Sequence, residues 1–215
     1  QRQMCIRDSK KICDEVKTDA MGNLIGFKRG TARRRRRLML AAHMDEIGFI
    51  ITHVDENGFC RVDTLGGINP QVCLGKRVVI FGKRRVEGVI GSKPPHIMKE
   101  EERKKAPTME NIFIDTCGLG KEAQELIPVG SPAVYMSQFS EIGDCCVCKA
   151  MDDRVGVYVM IEALKRVKRH RVDVYAVATV QEEVGLRGAL TGAFGIAPDI
   201  GVALDVTIAA DVPAS

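Results

Sequence analysis

Three apolar runs in this chain each end in residues that can bind a proton or a metal ion. They are residues 38–42 before His43 and Asp45, residues 172–180 before Glu182 and Glu183, and residues 200–204 before Asp205. Short, nearly continuous apolar runs are typical of strands buried on both faces of a sheet. An unpaired buried carboxylate is very costly, so these strand ends need a partner for their charge.

Helical and strand-like patterns alternate in the last third of the chain. Residues 152–167 and 187–194 have helical spacing, and each is followed by a run that is typical of a strand. In the first helix, Val155, Val159, Ile161, Leu164 and Val167 are expected to face the core. This order predicts an α/β domain with a mostly parallel sheet and helices on both faces. Such sheets bind ligands at the carboxyl ends of their strands, where the acidic residues lie.

A segment with a different sequence pattern interrupts this alternation of strands and helices. From residue 47 to residue 140, short β-like runs recur between turn residues, with one helix expected over 121–126 and an exposed charged loop over 99–105. The pattern predicts a small all-β domain inserted into the α/β domain. We therefore expect the catalytic α/β domain to comprise residues 1–46 and 141–215, with residues 1–9 set apart as non-native sequence.

The acids and the histidine fit the chemistry of a two-metal hydrolase. His43 and Asp45 are two residues apart on a strand, so they face the same way, and Asp45 is suited to orient a metal-binding imidazole. Asp152 and Asp153 begin a helix, and adjacent glutamates can divide the work of metal ligand and general base. Taken singly, each residue also fits a helix cap, a charged loop or a solvated strand end. Their coincidence at one sheet edge favours the metal site.

The net charge of +4 depends on one run of arginines. Without Arg33 to Arg37 the balance is slightly negative. A basic run can bind nucleic acid, but no aromatic platform accompanies this one, so the interpretation favoured here is a solvated turn with no nucleic-acid partner.

Composition also bears on the compartment. No apolar run is long enough to span a membrane, so no membrane partner is expected. The eight cysteines are interpreted as reduced thiols, because the pair Cys145 and Cys148 lacks the further ligands of a zinc site. A cytoplasmic location is therefore expected.

Several motifs occur in the order found in one known family, and the chain resembles the M42 co-catalytic metallo-aminopeptidases, the group of the glutamyl and tetrahedral aminopeptidases. The matching segments are residues 18–24, 41–49, 91–96, 149–154, 179–185 and 203–207. The resemblance covers the chain from about Asp14 onward. It implies a zinc-peptidase-like fold in which the β insertion is a PDZ-like dimerisation or lid domain. Family members assemble into homo-oligomers, from dimers to dodecamers.

The resemblance also implies roles for individual residues. It makes His43, Asp152, Glu183 and Asp205 ligands of two Zn²⁺ or Co²⁺ ions per subunit, with Asp152 as the bridge. Glu182 becomes the general base, and Asp45 orients His43. The implied activity is removal of the N-terminal residue from short peptides.

The resemblance leaves one expected ligand unassigned. The family has a second metal-binding histidine, which neither His53, His96 nor His170 supplies, so we expect a chain truncated at both ends and weakly active or inactive alone. Two other functions stay open: an endoglucanase-type glycoside hydrolase, since paired carboxylates also cleave sugars, and an inactive assembly or binding subunit. The absence of tryptophan disfavours the glycosidase.

Overall fold

The computed structural model describes residues 9–211, and its contacts divide them between two compact units. Unit 1 consists of two pieces of chain, one that ends at Glu46 and one that begins at Ala150. Unit 2 is residues 47–149. The predicted second boundary, near residue 140, falls nine residues before the boundary found here. The segment set apart as non-native lies outside the described residues except for Ser9.

The elements are as follows. The strands are β1 (Glu15–Thr18), β2 (Leu24–Lys28), β3 (Arg37–His43), β4 (Gly48–Val54), β5 (Phe59–Leu65), β6 (Arg77–Phe81), β7 (Arg85–Ser92), β8 (Ile112–Asp115), β9 (Pro132–Tyr135), β10 (Ser140–Ile142), β11 (Cys145–Val147), β12 (Asp173–Thr179) and β13 (Ile200–Ala203). The α-helices are α1 (Pro70–Cys73), α2 (Glu100–Arg103), α3 (Glu122–Leu126), α4 (Met151–Arg166) and α5 (Arg187–Ile196), and 3₁₀ turns lie at Pro95–Ile97 and Met109–Asn111.

Unit 1 is a five-stranded sheet with one long helix on each face. The strand order is β1-β2-β12-β3-β13. Strands β12, β3 and β13 are parallel, whereas β1 and β2 form an antiparallel hairpin that adds to β12. The sheet is therefore mixed, and the expectation of a mostly parallel sheet holds only for the three strands that end in the acidic residues.

Alternate residues of β12 supply the two cores of unit 1. Val174, Ala176 and Ala178 pack with α4, and Val177 packs on the opposite face in a cluster with Ile196 of α5. Along α4 the buried side chains follow the spacing i, i+3, i+4, i+7, at positions 157, 160, 161 and 164. Three sequence expectations for this helix fail, because Val159 is 45% exposed and Val155 and Val167 are only half-buried.

Unit 2 is a closed six-stranded barrel in which β4, β5, β8, β7, β6 and β9 follow one another and every pairing is antiparallel. Closure leaves none of these strands at an open edge. Its core is aliphatic, with fully buried Ile51, Ile80, Ile90 and Ile114 around Phe49. The predicted charged loop over 99–105 contains the single helical turn α2. The hairpin β10–β11 is exposed and separate from the barrel.

Candidate metal centre

The carboxyl ends of the three parallel strands bring the predicted site residues together. Thr179 on β12 is the register partner of His43 on β3, so the loop after β12 begins beside the histidine. Asp205 follows β13 two residues beyond its last strand residue. Asp152 approaches from the start of α4. All the site residues named from the sequence therefore lie in unit 1.

His43 is the centre of the cluster. Its side chain is 3% exposed, and its Nε2 lies 2.9 Å from Oδ1 of Asp152 and 3.7 Å from Oε2 of Glu182. Burial lowers the pKa of His43, but the hydrogen bond with Asp152 and the charges of Asp45 and Glu182 outweigh it, so the pKa lies above its usual value. The surroundings of this imidazole are thus strongly negative.

Two groups of potential ligands share this histidine. One is His43, Asp152 and Asp205, and the other is His43, Glu182 and Glu183. Within each group, one ligand atom from every residue lies within 4.8 Å of the others. The distance is small enough for one ion to contact the members of a group.

Asp45 lies beside the His43 imidazole and also contacts the loop that carries the glutamates. Its Oδ1 lies 3.5 Å from Nδ1 of His43, and this buried nitrogen has no hydrogen-bond partner within residues 9–211. Instead, the two carboxylate oxygens accept hydrogen bonds from the backbone N–H groups of Glu182 and Glu183, at 3.1 and 3.2 Å. Asp45 therefore fixes the backbone of the glutamate loop.

The two aspartates at the start of α4 do different things. Asp152 lies outside the helical conformation and faces His43, so it is not the helix cap. Asp153 is fully buried, and it accepts hydrogen bonds from the Gly156 N–H and from the His43 backbone N–H, at 2.9 and 3.2 Å. Burial raises the pKa of Asp153. The two hydrogen bonds lower it by less, so the pKa lies above its usual value. Asp153 thus caps the helix and ties it to β3.

A buried asparagine, missed in the sequence analysis, holds the loop that carries the glutamates. Asn23 accepts a hydrogen bond from the Val180 N–H at 3.0 Å, and its Nδ2 donates to the Gly188 carbonyl and to Asp19, at 2.9 and 2.7 Å. It therefore bridges both ends of the loop. The only signal in the sequence is its place within the motif at residues 18–24, since a single asparagine in a turn carries no pattern of its own.

The donor set fits divalent cations. Five carboxylates surround one imidazole, and no lysine or arginine of the described chain forms an ion pair with any of them. Burial raises the pKa of Glu183, and the charge of Asp152 raises it further, as expected for acids crowded without a counter-ion. Imidazole and carboxylate are the ligands of catalytic zinc and of two-metal hydrolases.

Known proteins share both the sequence and this architecture. The lysyl aminopeptidase of Pyrococcus furiosus is 35% identical over 97% of the chain and 61% of its own length. The structure of aminopeptidase APDkam598 from Desulfurococcus kamchatkensis matches with a TM-score of 0.92 and 44% identity, covering all of this chain and 59% of that one. The TET1 peptidase of Pyrococcus horikoshii, which can assemble into a tetrahedron or an octahedral shell, matches with a TM-score of 0.83 and 34% identity, over 99% and 66% of the two chains.

One structural relative has a different name. A Thermotoga maritima protein called an endoglucanase is 30% identical, with a TM-score of 0.80 over 99% of this chain and 62% of its own. The chain spans about three fifths of the length of the relatives it matches. Within the described residues, no helix has both the length and the apolar character needed to cross a membrane. The sequence profile of the M42 glutamyl aminopeptidases matches residues 22–215, and the chain belongs to that family.

Proposed function

We propose that this protein is a dinuclear metallo-aminopeptidase that removes N-terminal residues from short peptides in the cytoplasm. The observation that carries the proposal is the pair of overlapping ligand groups around His43. Named relatives that are aminopeptidases give it further support.

His43, Asp152, Glu183 and Asp205 would hold two ions, Zn²⁺ or Co²⁺, with Asp152 between them. Bound ions of this kind polarise the peptide carbonyl and make water a better nucleophile. Asp152 suits a bridging position because it is more than half exposed and still contacts Nε2 of His43.

Glu182 is the proposed general base. Its side chain is 26% exposed, so it is in reach of a water molecule while remaining in the cluster. It takes the proton of the attacking water and passes it to the leaving amine, which is the usual work of a carboxylate in this position. Asp45 holds the Glu182 and Glu183 amides and lies beside Nδ1 of His43, so it positions both the base and the histidine.

The imidazole at the centre of the acidic cluster favours a peptidase over a glycosidase. A glycosidase needs a pair of carboxyl groups and no metal ligand. Here His43 lies within 4.8 Å of carboxylate oxygens of Glu182 and Glu183, and imidazole with carboxylates suits a bound ion. The endoglucanase name of the Thermotoga relative points the other way.

Hydrolysis of aminoacyl-p-nitroanilides by the purified protein tests this function. Weak activity that a chelator abolishes and Zn²⁺ or Co²⁺ restores is the expected result, because the second metal-binding histidine of the family is unassigned in this chain. Cellulose hydrolysis that survives chelation would select the glycosidase, and absence of both activities would select the assembly subunit. Calorimetric titration of the metal-free protein with Zn²⁺ is a separate measure, and it should give two ions per chain.

Self-assembly is part of the same proposal. The family contains the shell-forming TET1 peptidase, and unit 2 is an inserted domain that contains none of the proposed site residues. Unit 2 is the proposed PDZ-like module for dimerisation or for covering the site. Native mass spectrometry checks this: homo-oligomers that dissociate when unit 2 is deleted support it, and oligomers that persist without unit 2 contradict it.

A further inference from the structure

A concentrated basic surface lies at the end of unit 1 opposite the metal centre. It consists of residues 29–37, which lead into β3, and residues 165–171, which lead from α4 into β12. Together these segments contain eleven arginines and lysines and no acidic residue. All eleven are exposed. We call this the basic surface.

Specific hydrogen bonds join the two segments. The Thr31 N–H and its hydroxyl both donate to the His170 carbonyl, at 2.9 Å, and the Ala32 N–H donates to the Arg171 carbonyl at 3.3 Å. Lys28 donates to the carbonyls of Leu164 and Val167 and so anchors the end of α4. The arginine run is therefore not an isolated turn, because the fold places a second basic segment against it.

The acid at the centre of this surface is already engaged. Asp173 accepts hydrogen bonds from the Gly30 N–H and from Arg35, whose Nε lies 2.9 Å from it, and its side chain is only 13% exposed. At the edges of the surface, Asp14 accepts a hydrogen bond from the Arg29 backbone N–H, and Asp199 accepts one from the Arg37 backbone N–H. Glu162 forms an ion pair with Lys165.

Most cations of the basic surface have no acidic partner. Within residues 9–211, these side chains take part in no ion pair: Arg33, Arg34, Arg36, Arg166, Lys168, Arg169 and Arg171. Like charges held together repel each other, and an anionic partner relieves that repulsion.

We propose that the basic surface binds the phosphate backbone of a nucleic-acid duplex without reading its sequence. Nine of the eleven cations are arginines, whose planar guanidinium groups bind phosphate oxygens in pairs. Neither segment contains a phenylalanine, tyrosine or tryptophan, so stacking on single-stranded bases is not supported. No large apolar side chain is exposed in either segment, so the surface lacks the residues that insert into a membrane.

Titration of the protein against a fluorescent duplex of about 20 base pairs at several salt concentrations tests the proposal. Binding should weaken steeply with salt, because each phosphate contact contributes a slope of about −0.9 in log K against log salt. The triple variant R33Q/R34Q/R36Q should bind at least about tenfold more weakly, with a slope shallower by about 3. R169Q/R171Q on the second segment should weaken binding in the same direction, with a slope shallower by about 2.

The matched control for the triple variant removes three exposed cations from the β6–β7 hairpin of unit 2, as K83Q/R84Q/R85Q. It changes the net charge equally and should leave duplex binding within about twofold. Far-UV circular dichroism and chelator-sensitive peptidase activity should be the same in all three variants, since none of these residues is in the metal centre. Equal loss in the control would overturn the proposal. Binding to phosphatidylserine vesicles but not to the duplex would overturn it as well.

Discussion

Glu182 and Glu183 are adjacent in the chain but have different proposed roles. Glu182 is the general base and Glu183 is a metal ligand. We predict that Glu182→Gln keeps the Zn²⁺ stoichiometry and lowers kcat by about 10² to 10⁴, because only the proton acceptor is lost. Glu183→Gln should instead lose one bound ion, since an amide is a poor substitute for a carboxylate ligand. Calorimetric titration and steady-state kinetics on both variants separate the two roles. Loss of metal from both variants alike would contradict the assignment.

Asn23 acts on these glutamates from outside the cluster. Its removal leaves the Val180 N–H without its partner, and an unsatisfied buried group costs about 1 to 3 kcal/mol. We predict that Asn23→Ala raises the hydrogen-exchange rate of the Val180 amide by at least about tenfold. Asn57→Ala, at an exposed turn of unit 2, is the control and should leave that rate unchanged. Unchanged protection in Asn23→Ala would show that the loop does not depend on this side chain.

Residue identity was easier to predict than residue contacts. The strand-end rule places His43, Glu182, Glu183 and Asp205 at one sheet edge, and the structure has them there. The rule could not show that Asp45, besides lying beside the imidazole, binds two backbone amides. These contacts depend on the path of the loop after β12, which is set by long-range hydrogen bonds.

At the level of elements, the start of α4 depends on one glycine. A Cβ at Gly156 would overlap the carboxylate of Asp153, which is held by hydrogen bonds from Gly156 and His43. We predict that Gly156→Ala destabilises unit 1 by about 2 kcal/mol or more, although this exchange usually stabilises a helix.

Gly195 on α5 is the matched control, because a Cβ there meets open space. Gly195→Ala should stabilise by about 0.5 to 1 kcal/mol, the ordinary gain of helix propensity. Thermal unfolding in the presence of a chelator compares the two variants without a contribution from bound metal. Equal shifts of Tm in both would mean that Asp153 moves aside at little cost.

Asp173 of β12 holds the loop before β3 through hydrogen bonds from Gly30 and Arg35. The pKa shift of this carboxyl group predicts how stability depends on pH. Burial alone would raise the pKa of Asp173, but hydrogen bonds from Gly30 and Arg35 outweigh it, so the pKa lies below its usual 3.8. A depressed folded-state pKa gives stability that is present above the unfolded value and is lost as pH falls through the folded value. Asp173→Asn should therefore cost about 1 to 2 kcal/mol at neutral pH.

The lowered pKa of Asp173 also predicts how the effect of Asp173→Asn on Tm depends on pH. The difference in Tm between Asp173→Asn and the parent should be constant above about pH 5 and should disappear as Asp173 becomes protonated in the folded state. Asp144→Asn, at the exposed β10–β11 turn, should change Tm little at any pH. A difference for Asp173→Asn that persists at the lowest pH would contradict an ionic contribution.

Elements with a strong period were predicted well, and weakly patterned ones were not. The start of α5 lies where the sequence placed it, and the helix expected over 121–126 is α3. The hairpin strand β1 and the single turn α1 were missed, because four residues are too few to show a period. The antiparallel pairing of β2 with β12 could not be predicted from local sequence either, since the paired residues lie about 150 positions apart in the chain.

On the scale of the whole molecule, the two units have separate cores and different chain paths. Unit 1 is built from two distant pieces of chain and unit 2 from one continuous piece, whose strands form a closed barrel around their own buried side chains. Every proposed metal ligand belongs to unit 1. Folding of unit 2 therefore requires nothing from the metal centre.

We predict that residues 47–149 produced alone fold into a β-rich domain with a cooperative thermal transition that Zn²⁺ does not shift. The whole protein should show a transition that Zn²⁺ raises by several degrees, because an ion at about a hundredfold excess over its Kd stabilises the folded state by about 2.7 kcal/mol. Circular dichroism melts with a chelator and with Zn²⁺ make the comparison. An unfolded isolated barrel, or a barrel that Zn²⁺ stabilises as much as the whole protein, would contradict the independence of the two units. A whole protein without any Zn²⁺ effect would contradict the metal centre instead.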